Sequence, residues 1–295
     1  MITPQIKANN LAKILGLNID LYFKREDLHP YGSHKGRSIP IMINKYVEQG
    51  VHDFIISSSG NAALAAAMYI NEYNKNNSTT PLTLQIFVGE KIDPEKLNLL
   101  QNYSGNKIII TKANNPKQQA FQIDKSGTAK ILRQSTDNTA LIGYQELAEE
   151  LNQIKNLAAI FIPTSSGTTV VGLNEAFTKL KIHPQIHIIQ TATCCPIVQL
   201  TINKEQPPNN EISIASAIVD KVAFRKNEVK EIVKESNGNG WIANNEEILH
   251  AIKLVEETEN ITLSPNSALA VVGLTQALKL GWKFNGPVVC LITGK

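Results

Sequence analysis

The sequence IISSSGNAA at residues 55–63 joins an apolar strand to an alanine-rich helix through three serines, Gly60 and Asn61. A short β-branched run followed by a helix is the repeating unit of a parallel sheet covered by helices. In such a loop, backbone N–H groups and hydroxyls converge at the positive end of the helix dipole. This stretch, whose residues 57–61 we name the serine loop, predicts an α/β fold and a site for a carboxylate or phosphate.

A second junction, FIPTSSGTTV at residues 161–170, repeats this design, and we name its residues 164–169 the hydroxyl loop. Each loop could simply cap its helix, because Ser, Thr, Asn and Gly are favoured N-cap residues. Two such loops after strands of an α/β sheet favour an anion site instead, because ligands bind at the carboxyl edge of these sheets. Neither loop has the GxGxxG or GxxxxGK[ST] pattern, so dinucleotide and nucleoside triphosphate sites are not indicated.

The alternation of strands and helices continues along most of the chain and predicts two domains, each with a mainly parallel, twisted sheet. A polar stretch near residues 135–142 marks the expected break, and residues 203–212 are a second candidate that is more typical of a loop. Predicted strands are 54–57, 82–88, 107–111, 158–162, 186–192 and 288–293, and predicted helices are 36–49, 61–73, 94–103, 144–154, 170–179, 246–258 and 267–280.

Composition excludes several classes of protein. The chain has 295 residues, a net charge of +3 and 42% hydrophobic positions, which is typical of a globular protein with about two domains. Without a basic run or a long apolar segment, neither a nucleic-acid partner nor a membrane is expected, and the location should be cytoplasmic. Cys194, Cys195 and Cys290 predict neither a disulfide framework nor a zinc site, so we expect no metal. The partner should be a small molecule.

A third segment, YFKREDLHPYGSHKGR at residues 22–37, places Lys35 at the start of a predicted helix. The positive end of the helix dipole disfavours a cation there. That position favours a neutral, nucleophilic amine able to form a Schiff base, although an isolated lysine is usually a solvated surface group.

Together these segments resemble the fold-type II pyridoxal-phosphate enzymes, which include threonine synthase, cysteine synthase, serine and threonine dehydratases and the tryptophan synthase β chain. The resemblance covers nearly the whole chain. The segments that carry it are GSHKGR at 32–37, SSSGNAALAAAMY at 57–69, TSSGTTVVGL at 164–173, SPNSALAVVGL at 264–274 and CLITGK at 290–295.

The resemblance implies pyridoxal 5'-phosphate as cofactor and a role for each matching residue. Lys35 would be the Schiff-base residue and the base for the Cα proton, and Thr293 would meet the pyridine nitrogen. Asn61 would contact the O3′ of the cofactor, and His34 could contact its phosphate. The phosphate would be bound by Ser165, Ser166, Gly167, Thr168 and Thr169, and the substrate carboxylate by Ser58, Ser59, Gly60, Asn61 and Ala62.

The reaction implied is elimination or replacement at Cβ or Cγ of an amino acid, with a threonine synthase-like reaction first. Cysteine synthase and serine or threonine dehydratase are the alternatives. A degenerate protein that binds the cofactor or an amino acid without turnover is a further alternative, because Gly36 and Ser264 depart from the family pattern. Lys24, Arg25 and Arg37 could bind a phosphorylated substrate or could form ion pairs with Glu26 and Asp27.

The resemblance also implies a homodimer and a division of the chain into two domains. Residues 36–140 would form a smaller, mobile domain with the serine loop. Residues 1–35 and 141–295 would form a larger, cofactor-binding domain with the hydroxyl loop.

Overall fold

The computed structural model describes residues 2–202 and 211–295. Its strands are β1 (Gln5–Lys7), β2 (Leu21–Arg25), β3 (Asp53–Ser57), β4 (Thr83–Gly89), β5 (Ile108–Ala113), β6 (Lys130–Ile131), β7 (Ala159–Pro163), β8 (Gln185–Thr191), β9 (Gly240–Ala243) and β10 (Val288–Ile292). Its helices are α1 (Asn9–Ile14), α2 (Lys35–Val47), α3 (Asn61–Asn76), α4 (Pro94–Gln101), α5 (Pro116–Lys125), α6 (Thr139–Ile142), α7 (Gln145–Leu151), α8 (Thr168–Leu180), α9 (Pro196–Ile202), α10 (Lys226–Glu235), α11 (Asn245–Glu259) and α12 (Pro265–Lys279).

The chain divides into two compact units. The large unit comprises Met1–His29 and Tyr144–Lys295, and the small unit comprises Pro30–Gly143. These units place Lys35 with the serine loop, whereas the boundaries expected from the sequence place it with the hydroxyl loop. The second candidate break, 203–212, lies mostly outside the described residues.

The large unit is built around a six-stranded sheet with the order β1-β2-β10-β7-β8-β9. Strand β1 pairs with β2 in antiparallel orientation, and the other pairings are parallel. The central strands β7 and β10 are buried along their whole length, as expected for strands covered on both faces. Parallel pairing brings the carboxyl ends of β10, β7 and β8 to one edge of the sheet.

Helix α12 packs against β7, β8 and β10 in the centre of the large unit. Every residue from Ser267 to Leu274 is buried. Small and apolar residues all round a helix are typical of a fully buried one, and SALAVVGL has that composition.

Three neighbouring strands of this sheet, β7, β8 and β9, carry a cluster of packed rings. The ring of His187 stacks on Phe161 with centroids 4.4 Å apart, and its Nδ1 accepts a hydrogen bond from Trp241 Nε1 at 3.2 Å. Burial lowers the pKa of His187 to about 3, so this ring is neutral at physiological pH.

The small unit has a parallel four-stranded sheet with the order β5-β4-β3-β6. Its core includes Ile39 and Met42 of α2, Phe54 and Ile56 of β3, and Ala66 of α3. Strand β3 is an inner strand of this sheet, and its carboxyl end leads directly into the serine loop.

The α/β class with parallel sheets is confirmed. The predicted strands and helices are present, with ends that differ by a few residues, as for strand 186–192, which is Gln185–Thr191. Elements outside the predicted ranges include α1, α5, α9, α10 and β9. In α10, most of KNEVKEIVKE is charged, and only Val229, Ile232 and Val233 are buried. Among the described residues, no helix combines the length and apolar character that crossing a membrane requires.

Candidate active site

The segment before Lys35 rests on α3, the helix that follows the serine loop. Tyr31 donates a hydrogen bond to Glu72 Oε2 at 2.7 Å and packs edge-on against Tyr69 with ring centroids 5.8 Å apart. Burial, and then the Glu72 carboxylate, raise the pKa of Tyr31, so its hydroxyl remains a donor. The turn continues through Gly32, whose φ of 77° favours glycine.

Lys35 is the first residue of α2, as the sequence predicts. Its side chain is half-buried, and its backbone N–H is donated to Ser33 Oγ at 3.3 Å. The first turn of α2 carries no acidic side chain. The Lys35 amine therefore lies at the positive end of the α2 dipole, and no carboxylate in that first turn offsets this positive charge. His34 immediately precedes it at the N-cap and is also half-buried.

The serine loop leaves the start of α3 without a side-chain cap. Its N-cap residue is Gly60, which has no capping side chain, and the Ser58 hydroxyl accepts a hydrogen bond from Gly60 N at 3.3 Å within the loop. Ser59 is exposed, and Asn61 and Ala62 are half-buried. The loop is therefore not a simple helix cap.

The hydroxyl loop leaves α8 uncapped in the same way. Gly167 is the N-cap, with a φ of 88°, and no side chain caps the helix. Side chains cap α4, α11 and α12, through Asp93, Asn244 and Ser264. The helices α1, α2, α5, α6, α7 and α10 resemble α3 and α8 in having no side-chain cap. A helix start that no side chain caps is suited to an anion, and both loops lead into such a start.

Packing fixes the conformation of the hydroxyl loop. A Cβ at Gly167 would lie 2.6 Å from Val229 Cγ2 and 3.4 Å from Arg225 Cβ, so α10 closes in on the glycine. The hydroxyls of Ser166 and Thr168 lie side by side with their oxygens 3.0 Å apart. Thr169 follows in the first turn of α8 and is buried.

Ser165 joins the loop to a distant segment of the large unit. Its Oγ accepts hydrogen bonds from the backbone N–H groups of Val219 at 3.3 Å and Asp220 at 3.4 Å. Ala217 N donates to Asn266 Oδ1 at 2.9 Å, so the same segment is also tied to the start of α12.

Sequence reasoning does not identify Gln190, although a glutamine within the apolar run of β8 is a signal. Gln190 is fully buried, and its Oε1 accepts hydrogen bonds from Ile197 N at 2.9 Å and Val198 N at 3.0 Å. Its Nε2 donates to Ser165 O at 3.5 Å. It therefore connects the start of α9 to the hydroxyl loop.

Thr293 lies just beyond the carboxyl end of β10 and is 5% exposed. Because β10 and β7 are parallel neighbours, Thr293 and the hydroxyl loop lie at the same edge of the large unit's sheet. The structure therefore brings together the residues that the resemblance assigns to the pyridine nitrogen and to the phosphate.

Two of the three cations considered for a phosphorylated substrate form ion pairs. Lys24 is fully buried and bonded to the Glu150 carboxylate, and its Nζ also donates to Thr3 O at 2.8 Å. Arg25 forms a two-point pair with Asp27, with N–O distances of 2.8 and 2.7 Å.

The three cysteines are buried thiols. Burial raises the pKa of Cys194, Cys195 and Cys290, so these side chains are protonated at neutral pH. A protonated, buried thiol is a poor nucleophile, which favours a packing role for all three.

The residues present fit pyridoxal phosphate. That cofactor needs an amine, donors for its phosphate and a partner for its ring nitrogen. Within the large unit, the start of α8 with its left-handed Gly167, the hydroxyls of Ser166 and Thr168, and the buried Thr293 fit the phosphate and the ring nitrogen. Within the small unit, Lys35 is an amine at the start of a helix.

Comparison with known proteins agrees with this chemistry. Residues 2–294 match the family model described as "Pyridoxal-phosphate dependent enzyme". A threonine synthase from Methanosarcina acetivorans is 26% identical, over 99% of this chain and 74% of its own length. Among solved structures, a pyridoxal 5'-phosphate-dependent aspartate racemase has a TM-score of 0.84 at 19% identity, covering 100% of this chain and 90% of its own.

A threonine deaminase from Solanum lycopersicum has a TM-score of 0.81 at 19% identity, covering 99% of this chain and 83% of its own. At such identities the structural likeness establishes the fold, and the match of the family model over nearly the whole chain establishes the family. The chain belongs to the pyridoxal-phosphate dependent enzyme family.

Proposed function

We propose that this enzyme catalyses elimination or replacement at Cβ or Cγ of an amino acid, with a threonine synthase-like reaction as the first candidate. The observation that carries this proposal is the 26% identity to a threonine synthase over 99% of the chain. The α2 start at Lys35 and the uncapped starts of α3 and α8 support it.

When bound, pyridoxal phosphate supplies an electron sink for the Cα–H bond of the substrate. In our proposal, Lys35 would hold the cofactor covalently, and its Nζ, once released, would be the base that takes the Cα proton. The hydroxyl of Thr293 would be the partner of the ring nitrogen. Because a hydroxyl cannot supply a proton as readily as a carboxylic acid, this favours elimination or replacement over transamination.

The two loops bind the two anions of the reaction in this proposal. The phosphate of the cofactor is bound at the start of α8 by Ser165–Thr169, with His34 as a further donor. The carboxylate of the substrate is bound at the start of α3 by the backbone N–H groups and hydroxyls of Ser58–Ala62. Asn61 donates to O3′ of the cofactor.

A second candidate is the deamination of an unphosphorylated hydroxyamino acid such as serine or threonine. The ion pairs Lys24–Glu150 and Arg25–Asp27 favour it, because these two cations are already neutralised by carboxylates. A threonine synthase-like enzyme must bind the phosphate of its substrate with other groups. Breaking the buried pair by Lys24→Met should lower stability by about 3–5 kcal/mol rather than raise one substrate's KM selectively.

The proposed chemistry is tested first by the cofactor. Protein supplied with pyridoxal phosphate should turn yellow, and borohydride should fix the cofactor to the peptide that contains Lys35. Lys35→Ala should abolish this fixation, and Lys45→Ala, an exposed lysine of the same helix, should not. Fixation that persists in Lys35→Ala would place the covalent attachment elsewhere.

The reaction is tested by incubation with O-phosphohomoserine, with O-acetylserine plus sulfide, and with L-serine or L-threonine. Release of phosphate, formation of cysteine and formation of a keto acid identify the three reaction types. Covalent cofactor without any turnover would instead support a binding protein.

We also propose that the enzyme works as a homodimer in the cytoplasm, with residues 36–140 as a mobile domain. Three unpaired, buried thiols are consistent with a reducing compartment. Light scattering coupled to gel filtration tests the dimer, and a monomer at micromolar concentration would contradict it.

A further inference from the structure

We propose that Ser264 and Ser267 are positioning residues that hold Gly294, and through it the hydroxyl of Thr293, in the orientation needed at the ring nitrogen. This inference rests on the proposed function, because it assigns Thr293 to the cofactor. It gives a role to Ser264, which the sequence alone identifies only as a departure from the family pattern.

The two serines bind both backbone groups of Gly294. Its carbonyl oxygen accepts hydrogen bonds from Ser264 Oγ at 2.6 Å and from Ser267 Oγ at 2.7 Å. Its N–H is donated to Ser267 Oγ at 3.2 Å. Ser267 is fully buried and Gly294 is also buried, so solvent has little access to replace these bonds.

These bonds lie two residues beyond the end of β10, at Gly294, which also takes part in an isolated β-bridge. Strand β10 ends at Ile292, which is paired with Arg25 of β2. Buried backbone groups beyond the end of a strand need other partners, and side chains of α12 provide them. The side-chain contacts of α12 therefore fix the backbone immediately after Thr293.

The start of α12 is itself rigid. Ser264 is the N-cap, its Oγ accepts a hydrogen bond from Ser267 N at 3.4 Å, and Pro265 occupies the first turn. Asn266 in the same turn holds Ala217 of the segment that reaches Ser165. One turn of helix thus orders both the end of β10 and the segment bonded to the hydroxyl loop.

Capping and positioning predict different outcomes at Ser264. Aspartate is as good an N-cap as serine, so Ser264→Asp should preserve α12 if capping is the only role. A carboxylate cannot donate to the Gly294 carbonyl and repels it. We therefore expect Ser264→Asp to retain the fold but to weaken cofactor binding as much as Ser264→Ala does.

The decisive experiment is a double-mutant cycle between Ser267→Ala and Thr293→Ala, read by the dissociation constant of pyridoxal phosphate. Ser267→Ala, which removes both hydrogen bonds of Ser267 Oγ to Gly294, should weaken binding about tenfold in the wild-type background. In the Thr293→Ala background it should have almost no further effect. Independent, additive losses would overturn the inference.

Hydrogen exchange at Gly294 gives a readout that does not need the cofactor. Its amide should exchange at least about tenfold faster in Ser267→Ala than in the wild type, with or without pyridoxal phosphate. Thr275→Ala is the matched control, because Thr275 is a half-buried residue of the same helix whose hydroxyl donates to Val271 O at 2.9 Å, within the helix itself. It should change neither the exchange nor the affinity.

The failures can be told apart. If borohydride fixes the cofactor to Lys35 but the cycle is additive, the proposed function stands and this inference fails. If Gly294 exchanges faster while the affinity is unchanged, the contact is structural only and the role in positioning Thr293 is refuted. If Ser267→Ala does not fold, Ser264→Ala, which removes only one donor to Gly294, replaces it in the cycle. Wild-type protein that binds no cofactor overturns both proposals.

Discussion

The serine loop and the hydroxyl loop both connect a parallel strand to a helix without a side-chain cap, yet they are held very differently. Among residues 2–202 and 211–295, no atom would lie within 4 Å of a Cβ at Gly60 in the serine loop, and the side-chain hydrogen bond of this loop is local, from Gly60 N to Ser58 Oγ. In the hydroxyl loop, Gly167 abuts Val229, and Ser165 is bonded to Val219 and Asp220.

The difference suits the two anions that we assign to these loops. A cofactor phosphate stays in place through every turnover, so a preorganised, packed loop binds it without a repeated ordering cost. A substrate carboxylate must enter and leave, which is easier in a loop with few fixed contacts. In our proposal, two loops of similar composition therefore bind a permanent and a transient ligand, and the residues packed against each loop make the difference.

The largest expected effect comes from adding one methyl group to each loop. Gly167→Ala should lower the free energy of unfolding by about 2–4 kcal/mol, because the new Cβ clashes with Val229 and the residue keeps a positive φ. Gly60→Ala should change it by less than about 0.5 kcal/mol, because its φ is −121° and the space is open. Urea unfolding measures both, and equal losses would contradict the comparison.

Acid should destabilise the core of the large unit through His187, which stacks on Phe161 and accepts a hydrogen bond from Trp241. His187 has a pKa of about 3 in the folded protein against an ordinary value of 6.5, so the unfolded chain binds a proton first as the pH falls. Stability should therefore decrease by roughly 1.4 kcal/mol per pH unit below about pH 6.5 and level off near pH 3. Above pH 6.5 this group has no effect.

The measurement is urea unfolding at pH 7 and pH 5, followed by tryptophan fluorescence. The protein has two tryptophans, and both Trp241 and Trp282 lie in the large unit, so the signal reports that unit. His187→Gln keeps an acceptor for Trp241 and should reduce the loss on acidification by about 2 kcal/mol. His183→Gln, at an exposed position, serves as the control. An unchanged loss in His187→Gln would rule out this source of acid sensitivity.

The smallest expected effect is the difference in stability between removing the Ser165 hydroxyl of the hydroxyl loop and removing the Ser58 hydroxyl of the serine loop. Ser165→Ala leaves the N–H groups of Val219 and Asp220 without their acceptor and should cost about 1 kcal/mol. Ser58→Ala removes one bond inside its own loop and should cost less than about 0.5 kcal/mol. For substrate binding, our proposal expects the larger effect at Ser58. Ser58→Ala should raise the KM for the substrate more than it alters cofactor affinity. Steady-state kinetics with saturating cofactor tests that reversal.

Local patterns were sufficient to find both loops and the start of α2 at Lys35. Each is a junction in which the residue types, the strand before and the helix after lie within about fifteen positions, so short-range physics determines them. The same reasoning could not find Gln190 or the role of Ser264. Their partners are Ser165 and Gly294, which are 25 and 30 positions away along the chain.

By itself, the sequence determined the α/β class, the two strand–loop–helix junctions and the amine at a helix start, because hydrophobic period, helix dipole and turn chemistry act over a few residues. Only the tertiary structure decided which loop is held rigidly, which cations are neutralised and what holds the end of β10. Those outcomes depend on contacts between segments far apart in the chain, such as Val229 against Gly167 and Glu150 against Lys24. Folding creates these contacts, and no local pattern encodes them.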